Sequence, residues 1–484
     1  MNLFHLRRTK IVATIGPACN NAKTLLQMAE AGMDVARLNF SHADHETHEK
    51  SLKYIRGINE KHGTTIAILQ DLQGPKIRIG ILKKDLKIKP GQIVTLRSDI
   101  KEQTENALPI QYNAFAQDVK AGDVVLMDDG KVESVVVETN NANTVKLRIT
   151  SGKIIQSRKG VNLPFTQISE PTITEKDFKD IDFAIKHKVE WLALSFVRSA
   201  DDIKLLKELI RLKNGVSKVI AKIEKPEALE NIDEIITASD GIMVARGDLG
   251  VEIRMEEVPV WQKRIIRRCN KEGKPVIVAT QVMESMIQNS RPTRAEANDV
   301  ANALVDGADA VMLSGETSVG EHPVVVVESM NRILKNVEQE DSEIYNRNLD
   351  TIPTNSEPLS HAIIKSACEL AHRTEARAIL GMTRSGYTVF QLSRCRPHAH
   401  IFAFSDNRGI LNTLNLVWGV RAFYYDGHES TDTTIQEVHE ILKEKELVKA
   451  GDILINTGSM PLHEYGLTNM IKVSKVREKG DLRN

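Results

Sequence analysis

The segment KIEKPEALENIDEIITASDGIMVARGDLG, residues 222–250, sets Lys222, Glu224, Arg246 and Asp248 hard against apolar runs that read as buried strand. Lys222 and Glu224 are two apart, so on a strand their side chains leave the same face. A lone Lys-x-Glu is more often an ion pair than a catalytic group. With Asp248 on a neighbouring strand, however, Glu224 forms a carboxylate pair able to hold one small divalent ion. Mg²⁺ suits such a pair, because it commonly takes one or two protein carboxylates and leaves its other positions to water and substrate oxygens. Too few His or Cys lie nearby for zinc. ARGDLG follows a strand and opens a helical turn, whose free N–H groups can grip a carboxylate. Arg37, Lys76, Arg78 and Lys222 add positive charge, and a ligand carrying both phosphate and carboxylate answers it best.

Eight short apolar runs must position these groups: KIVATIGP, DVARLNFSH, TIAILQDLQG, WLALSFVR, KVIAKIEK, GIMVARGDLG, PVIVATQ and AVMLSGET. Each reads as a strand buried on both faces, and charged, helix-periodic sequence separates most of them. SADDIKLLKELIRLK, for example, opens on Ser199 as an N-cap. Eight strand-then-helix units predict a (β/α)₈ barrel, whose strands deliver their carboxyl-terminal residues to one catalytic mouth. Every run ends in polar groups: Thr14 and Pro17; Arg37, Asn39, Ser41 and His42; Asp71, Lys76 and Arg78; Ser195 and Arg198; Lys222 and Glu224; Arg246 and Asp248; Thr280 and Gln281; Ser314 and Glu316. So many unlike charges at one mouth are costly to bury unless they pair or bind something.

About a hundred residues between the third and fourth runs break the rhythm with GQIVTLRS, GDVVLMDDG, KVESVVVETN and TVKLRITS, split by Gly, Asp and Asn turns. They predict a small β domain, a β barrel in outline, inserted in a barrel loop. After about residue 345 the helix HAIIKSACELAHRT and the strands AILGMT, HIFAFS, RAFYY and DILINTG predict a separate α/β domain beyond the linker NRNLDTIPTNSEP. The expected division is a barrel over 1–74 and 171–345, an inserted lid over 75–170, and a regulatory domain over 346–484. The 65 basic and 65 acidic side chains cancel without long like-charge blocks, which argues against nucleic-acid and membrane-surface binding. No apolar run approaches the roughly 20 residues that span a bilayer, the start carries no signal-peptide core, and Cys19, Cys269, Cys368 and Cys395 are dispersed, as in a reduced cytoplasmic chain.

ARLNFSH, DLQGPKIR, AKIEKPEAL, DGIMVARGDLGVEI, VIVATQVMESM, RPTRAEANDVANA and VMLSGETSVG resemble the signature segments of pyruvate kinases of the bacterial type, and the resemblance runs over the whole chain. It implies transfer of the phosphoryl group of phosphoenolpyruvate to ADP, with Mg²⁺ (Mn²⁺ as substitute) on Glu224 and Asp248. Lys222 would stabilise the phosphoryl in transit, Arg37 would bind phosphate, and the backbone of Ala245, Arg246 and Gly247 would bind the carboxylate. Thr280, Ser195 and Arg78 would touch substrate, and Ser314 with Glu316 matches residues implicated in protonating the enolate. Nucleotide would lie against Pro17, Asn39, His42, Arg78 and Lys159, under a lid closing through Asp128 or Asp129. Thr47 replaces a tyrosine that some relatives carry near the adenine, which implies weak base selectivity.

The third strand departs from the K⁺-dependent form of that family, Asp-Thr-Lys-Gly-Pro-Glu. Here it reads Asp71, Leu72, Gln73, Gly74, Pro75, Lys76, so the cation region of Asn39, Ser41, Asp71, Leu72 and Lys76 is expected to work without K⁺, the lysine supplying the charge. In the last domain Thr383, Arg384, Ser385, Gly386 and Thr388 resemble the family's effector phosphate loop, with Tyr387 in place of its usual Arg or Lys. Gly458 and Gly466 would bound the segment that closes over the effector. The resemblance implies a homotetramer activated by a sugar phosphate or AMP, and a chain ending at Asn484 without the phosphohistidine-bearing extension of some relatives. Two rivals are a Mg²⁺-dependent lyase or aldolase acting on a pyruvate enolate, which needs no nucleotide lid, and a non-catalytic metabolite sensor, which need not keep Lys222, Glu224, Asp248 and Thr280 together.

Overall fold

The structure is a computed structural model that describes residues 6–164, 166–354, 356–427, 430–460 and 468–478. Eight parallel strands close into a barrel: Lys10–Ile15, Val35–Asn39, Ala67–Asp71, Trp191–Leu194, Lys218–Ile223, Gly241–Ala245, Val276–Ala279 and Ala310–Leu313. These are the eight expected runs, and Lys10 pairing with Ala310 seals the first strand to the last. Alternation along each strand builds two cores. Val12, Val35, Leu69, Ile220, Met243, Ile277 and Met312 fill the interior, whereas Ile11, Ala13, Ala36, Leu38, Val244 and Val278 pack against the surrounding helices. That double burial is why the runs read as continuously apolar.

Helix starts follow local capping chemistry. Thr174 and Asp177 form a reciprocal capping box at Glu175–Lys186, and Thr293 and Glu296 do so at Arg294–Asp306. Asp202 accepts the Ser199 N–H at 3.0 Å where Ala200–Leu212 begins.

Between the third and fourth barrel strands lies a six-stranded sheet of Val161–Asn162, Val124–Met127, Val132–Thr139, Thr144–Ser151, Ile93–Arg97 and Leu108–Pro109, in that spatial order. It has its own core, which includes Val125, Met127, Val145, Leu147 and Phe115. The C-terminal part is a five-stranded sheet ordered Val420–Tyr424, His400–Ser405, Ala378–Met382, Ile453–Gly458 and Met470–Lys475. The first four strands are parallel and expected. The fifth is antiparallel and absent from the sequence reading, because MIKVSK is an exposed edge whose lysines blur the apolar pattern.

Buried charge joins this last sheet to the barrel floor. Asp34, ahead of the second strand, pairs through Oδ1 with Arg421 at 3.2 Å and through Oδ2 with Arg7, and Oδ2 also accepts the Ile11 N–H at 2.9 Å. Lys10 donates to the Val420 carbonyl at 2.7 Å, and Asn415 donates to the Asp34 carbonyl at 2.9 Å. A second node sets Arg396 on Asp309 at 3.1 Å and on the Gly307 carbonyl at 2.8 Å, over the Trp418 ring. Leu416 enters the inner barrel core, and the Trp191 indole N–H reaches the Thr413 carbonyl at 3.2 Å. All four cysteines are free and buried. No helix among the described residues is long and apolar enough to cross a membrane.

Candidate active site

Lys222 and Glu224 leave one face of the fifth strand, and the Lys222 ammonium lies 2.8 Å from Glu224 and 3.2 Å from Asp71 of the third. It also donates to Ser195 Oγ at 2.7 Å, which passes its own proton to the Leu72 carbonyl at 2.7 Å. Burial alone would push this lysine down, but Asp71, Glu224 and Asp248 outweigh it and hold the ammonium above its ordinary range. Arg37 donates to Asp71 Oδ2 at 2.8 Å and to Thr14 Oγ1 at 2.9 Å, and Thr14 in turn donates to the Leu313 carbonyl. Two cations therefore share Asp71, and four strands fix their positions. Asp71, read as part of a cation region that works without K⁺, is engaged by Arg37 and Lys222.

Glu224 accepts the Phe196 N–H at 2.8 Å through its other oxygen. Its carboxyl is pushed up, by burial first and by the facing Asp248 as well, against the pull of Lys222. Asp248, in the short helix Arg246–Glu252, has no hydrogen-bond or ion-pair partner among the described residues. A buried carboxylate beside a free one, unrelieved by a second cation, fits a divalent ion with two protein ligands. No cluster of three or more His, Cys, Asp or Glu among the described residues is arranged as a metal cage.

Thr280 and Gln281, after the seventh strand, both have positive φ, 67° and 52°. Arg246 holds that conformation: it donates to the carbonyls of Thr280 at 2.9 Å and Gln281 at 3.2 Å and is anchored by Asp299 at 2.7 Å. Its side chain thus braces a loop, and only its backbone is left for a ligand. Thr280 Oγ1 accepts the Gly247 N–H at 2.6 Å, and a Cβ at Gly247 would sit 3.1 Å from that oxygen, so a side chain there would have to push the Thr280 hydroxyl back by a few tenths of an ångström. After the eighth strand Glu316 takes the N–H groups of Ser314 at 2.7 Å and Met283 at 3.2 Å, and the Ser314 hydroxyl is buried without a partner among the described residues.

Toward the rim, His42 donates its backbone N–H to the Asn39 carbonyl, while Ser41 is held by the Asn39 side chain at 3.1 Å. The His42 imidazole is pushed down by burial and then by Arg78, Lys76 and Arg37. Pro17 and Lys76 are exposed at the mouth, and Leu72 is buried. Arg78 donates to the Arg158 carbonyl at 3.1 Å, and Lys159 pairs with Asp128 at 2.9 Å within the inserted sheet. Asp128 and Asp129 both carry positive φ in the turn that faces the barrel. In the C-terminal sheet the Thr383 hydroxyl accepts the Gly386 N–H at 2.9 Å, Ser385 takes the Tyr387 N–H, and Thr388 meets Thr468 at 2.6 Å. Arg384 lies beside Asp406. Gly458 ends its strand, and Gly466 lies outside the described residues.

Sequence reasoning missed the groups that brace the mouth. Asp299 and Asp177, which steady Arg246 and the Gly74 N–H, sit on helices where nothing separates them from surface acids. Lys225 and Glu252 form a buried pair at 2.8 Å. Their only signal was adjacency, one residue after Glu224 and one helical turn after Asp248.

The family model described as pyruvate kinase, barrel domain, matches residues 6–327, and that for the pyruvate kinase alpha/beta domain matches 361–474. The chain is 44% identical over 473 residues to the pyruvate kinase of Corynebacterium efficiens, covering 98% of each. It is 40% identical over 480 residues to that of Mycobacterium tuberculosis, covering 98% of this chain and 99% of the other. The crystal structure of a pyruvate kinase from Cryptosporidium parvum superposes with a TM-score of 0.91 at 36% identity, over 97% of this chain and 96% of that one. With both domain models matched and relatives aligned end to end, the chain belongs to the pyruvate kinase family.

Proposed function

We infer that Lys222, Arg37, Glu224 and Asp248 are the groups with which this phosphotransferase moves the phosphoryl of phosphoenolpyruvate to ADP, giving pyruvate and ATP in the last step of glycolysis. One observation carries the assignment: a buried, charged Lys222 in contact with both Asp71 and Glu224 at the barrel mouth. Glu224 and Asp248 would hold Mg²⁺, which supplies charge neutralisation at the phosphoryl and enolate oxygens when bound. Arg37 and Lys222 place fixed positive charge where the phosphoryl group passes, and such preorganised charge supplies most of the catalysis in phosphoryl transfer. The start of the 246–252 helix grips the carboxylate, Thr280 orients the enolpyruvate, and Ser314, whose hydroxyl has no partner among the described residues, handles the enolate proton. Residues 75–170 act as a lid over a nucleotide bound at Pro17, Asn39, His42, Arg78 and Lys159, excluding water. A lyase would need no such lid.

The family generally requires Mg²⁺ and K⁺, and this chain is proposed to need only the first. Leu72 is buried where the family's threonine helps to bind K⁺, and the charge of Lys76 reaches the mouth, where it is felt at His42. A single assay checks both ions. ADP-dependent pyruvate formation is expected to vanish when Mg²⁺ is chelated and to change less than about twofold when tetramethylammonium replaces K⁺ and Na⁺. Turnover that collapses without K⁺ and returns with K⁺ alone overturns the role given to Lys76.

The loop Thr383–Thr388 caps the helix Tyr387–Arg394 with hydroxyls and N–H groups suited to a phosphate. It is the proposed site of a phosphorylated activator in a cytoplasmic homotetramer. Phosphoenolpyruvate saturation curves are expected to shift to lower concentration with at least one of fructose 1,6-bisphosphate, ribose 5-phosphate, glucose 6-phosphate or AMP. Curves unmoved by all four count against the site.

A further inference from the structure

We propose that Glu252 is a positioning residue that latches the inserted lid to the two elements bearing the metal carboxylates; the idea rests on the reading of the site given above. Glu252 closes the helix that carries Asp248, one turn further on. Its Oε1 accepts from Lys225, the residue after Glu224, at 2.8 Å. The same oxygen accepts from Asn162 Nδ2 at 2.9 Å, and Asn162 lies on the last strand of the inserted sheet. One carboxylate oxygen thus ties together the end of the fifth strand, the helix after the sixth, and the lid.

The pair is not an ordinary surface bridge. Glu252 is 2% and Lys225 6% exposed, and Glu252 Oε2 is buried without a partner among the described residues. It lines a cavity of about 30 Å³ between lid and mouth, shared with Asp248, Lys225, Asn162, Lys76 and Asp129. Burying a carboxylate with one oxygen unanswered is costly, and a pair that served only packing between strand and helix would gain nothing from a lid side chain. A second tether of the lid is of a different kind. Arg198 donates to the carbonyls of Ile168 and Glu170, fixing the return segment to the end of the fourth strand. That double backbone grip makes a pivot, whereas Asn162 contributes one breakable bond to a charged acceptor. Lid position and the placement of Glu224 and Asp248 are therefore linked through Glu252: the lid settles only when strand and helix are in register.

The test uses the full chain with nitroxide labels at Lys120→Cys on the lid and Leu205→Cys on a barrel helix, since the four native cysteines are buried. Asn162→Ala leaves the barrel pair intact. It is expected to broaden the lid-to-barrel distance distribution of the unliganded enzyme and to raise KM for ADP about tenfold, the scale of one hydrogen bond to a charged group. Equilibrium binding of phosphoenolpyruvate with Mg²⁺ should change less than about twofold. Asn162→Asp, which sets a second carboxylate against Glu252, should exceed Asn162→Ala in both lid readouts. Unchanged distances with an unchanged KM for ADP overturn the latch, as does an equal rise in KM for both substrates, the signature of a merely structural role. A wild-type chain that forms no pyruvate sinks the reading of the site instead, and the distance measurement still decides the latch.

Discussion

Lys222→Met is expected to lower kcat for ADP-dependent pyruvate formation at least about a thousandfold while leaving the protein folded. Methionine keeps the unbranched apolar stem and most of the side-chain length, so the strand is not disturbed, but the only cation among the described residues that touches both Asp71 and Glu224 is gone. Burial and Asp248 already push the Glu224 carboxyl up, and loss of the ammonium removes the main force opposing them. Equilibrium binding of phosphoenolpyruvate should weaken far less than kcat, because Arg37 keeps its own anchors on Asp71 and Thr14. Steady-state kinetics and calorimetric binding on the same preparation separate the two. A variant within tenfold of wild-type kcat would mean that Lys222 merely neutralises carboxylates.

The largest effect on stability is expected at the barrel floor. Asp34→Asn leaves Arg7, Lys10 and Arg421 facing one another; Glu338 acts on Lys10 and Arg421, but it is already taken by the backbone N–H groups of Arg8 and Thr9. Removing one member of a buried ionic cluster typically costs about 3–5 kcal/mol. Burial would raise the Asp34 carboxyl, but Arg7, Lys10 and Arg421 outweigh it and hold it well below the usual carboxylate range. A depressed folded pKa means a stabilisation fully present above the unfolded value of about 3.9 and lost as pH falls toward the folded value. The gap between wild type and variant in denaturant melts should therefore be widest near neutrality and shrink below about pH 4. A gap that widens on acidification would show that Asp34 is not the anionic centre of the cluster.

How much of this could be read from the chain alone depended on whether the signal was local. The barrel strands were legible because both faces are buried, so each appears as an uninterrupted apolar run. Lys222 and Glu224 were legible because strand geometry puts alternate residues on one face. The edge strand Met470–Lys475 was not, since exposure had removed its pattern. Asp299, Asp177 and Glu252 act across long sequence separations on helices rich in other acids, and only the fold distinguishes them. Arg246 was read as a group delivered to the mouth, and its side chain turns to brace the strained Thr280–Gln281 turn, a task that no spacing rule announces.

The floor of the barrel also bears on the order of synthesis. Residues 10–313 contain every barrel strand, but Arg396, Leu416, Val420 and Arg421, which fill and neutralise the floor, emerge roughly a hundred residues later. At about 5–20 residues per second that is a delay of about 5–20 s, during which Lys10, Asp34 and Asp309 sit in a closed ring that has no base. The nascent barrel must wait for the last sheet before its ions are matched, so a ribosome stalled between the two releases a chain whose barrel is complete in strands and still incomplete in charge.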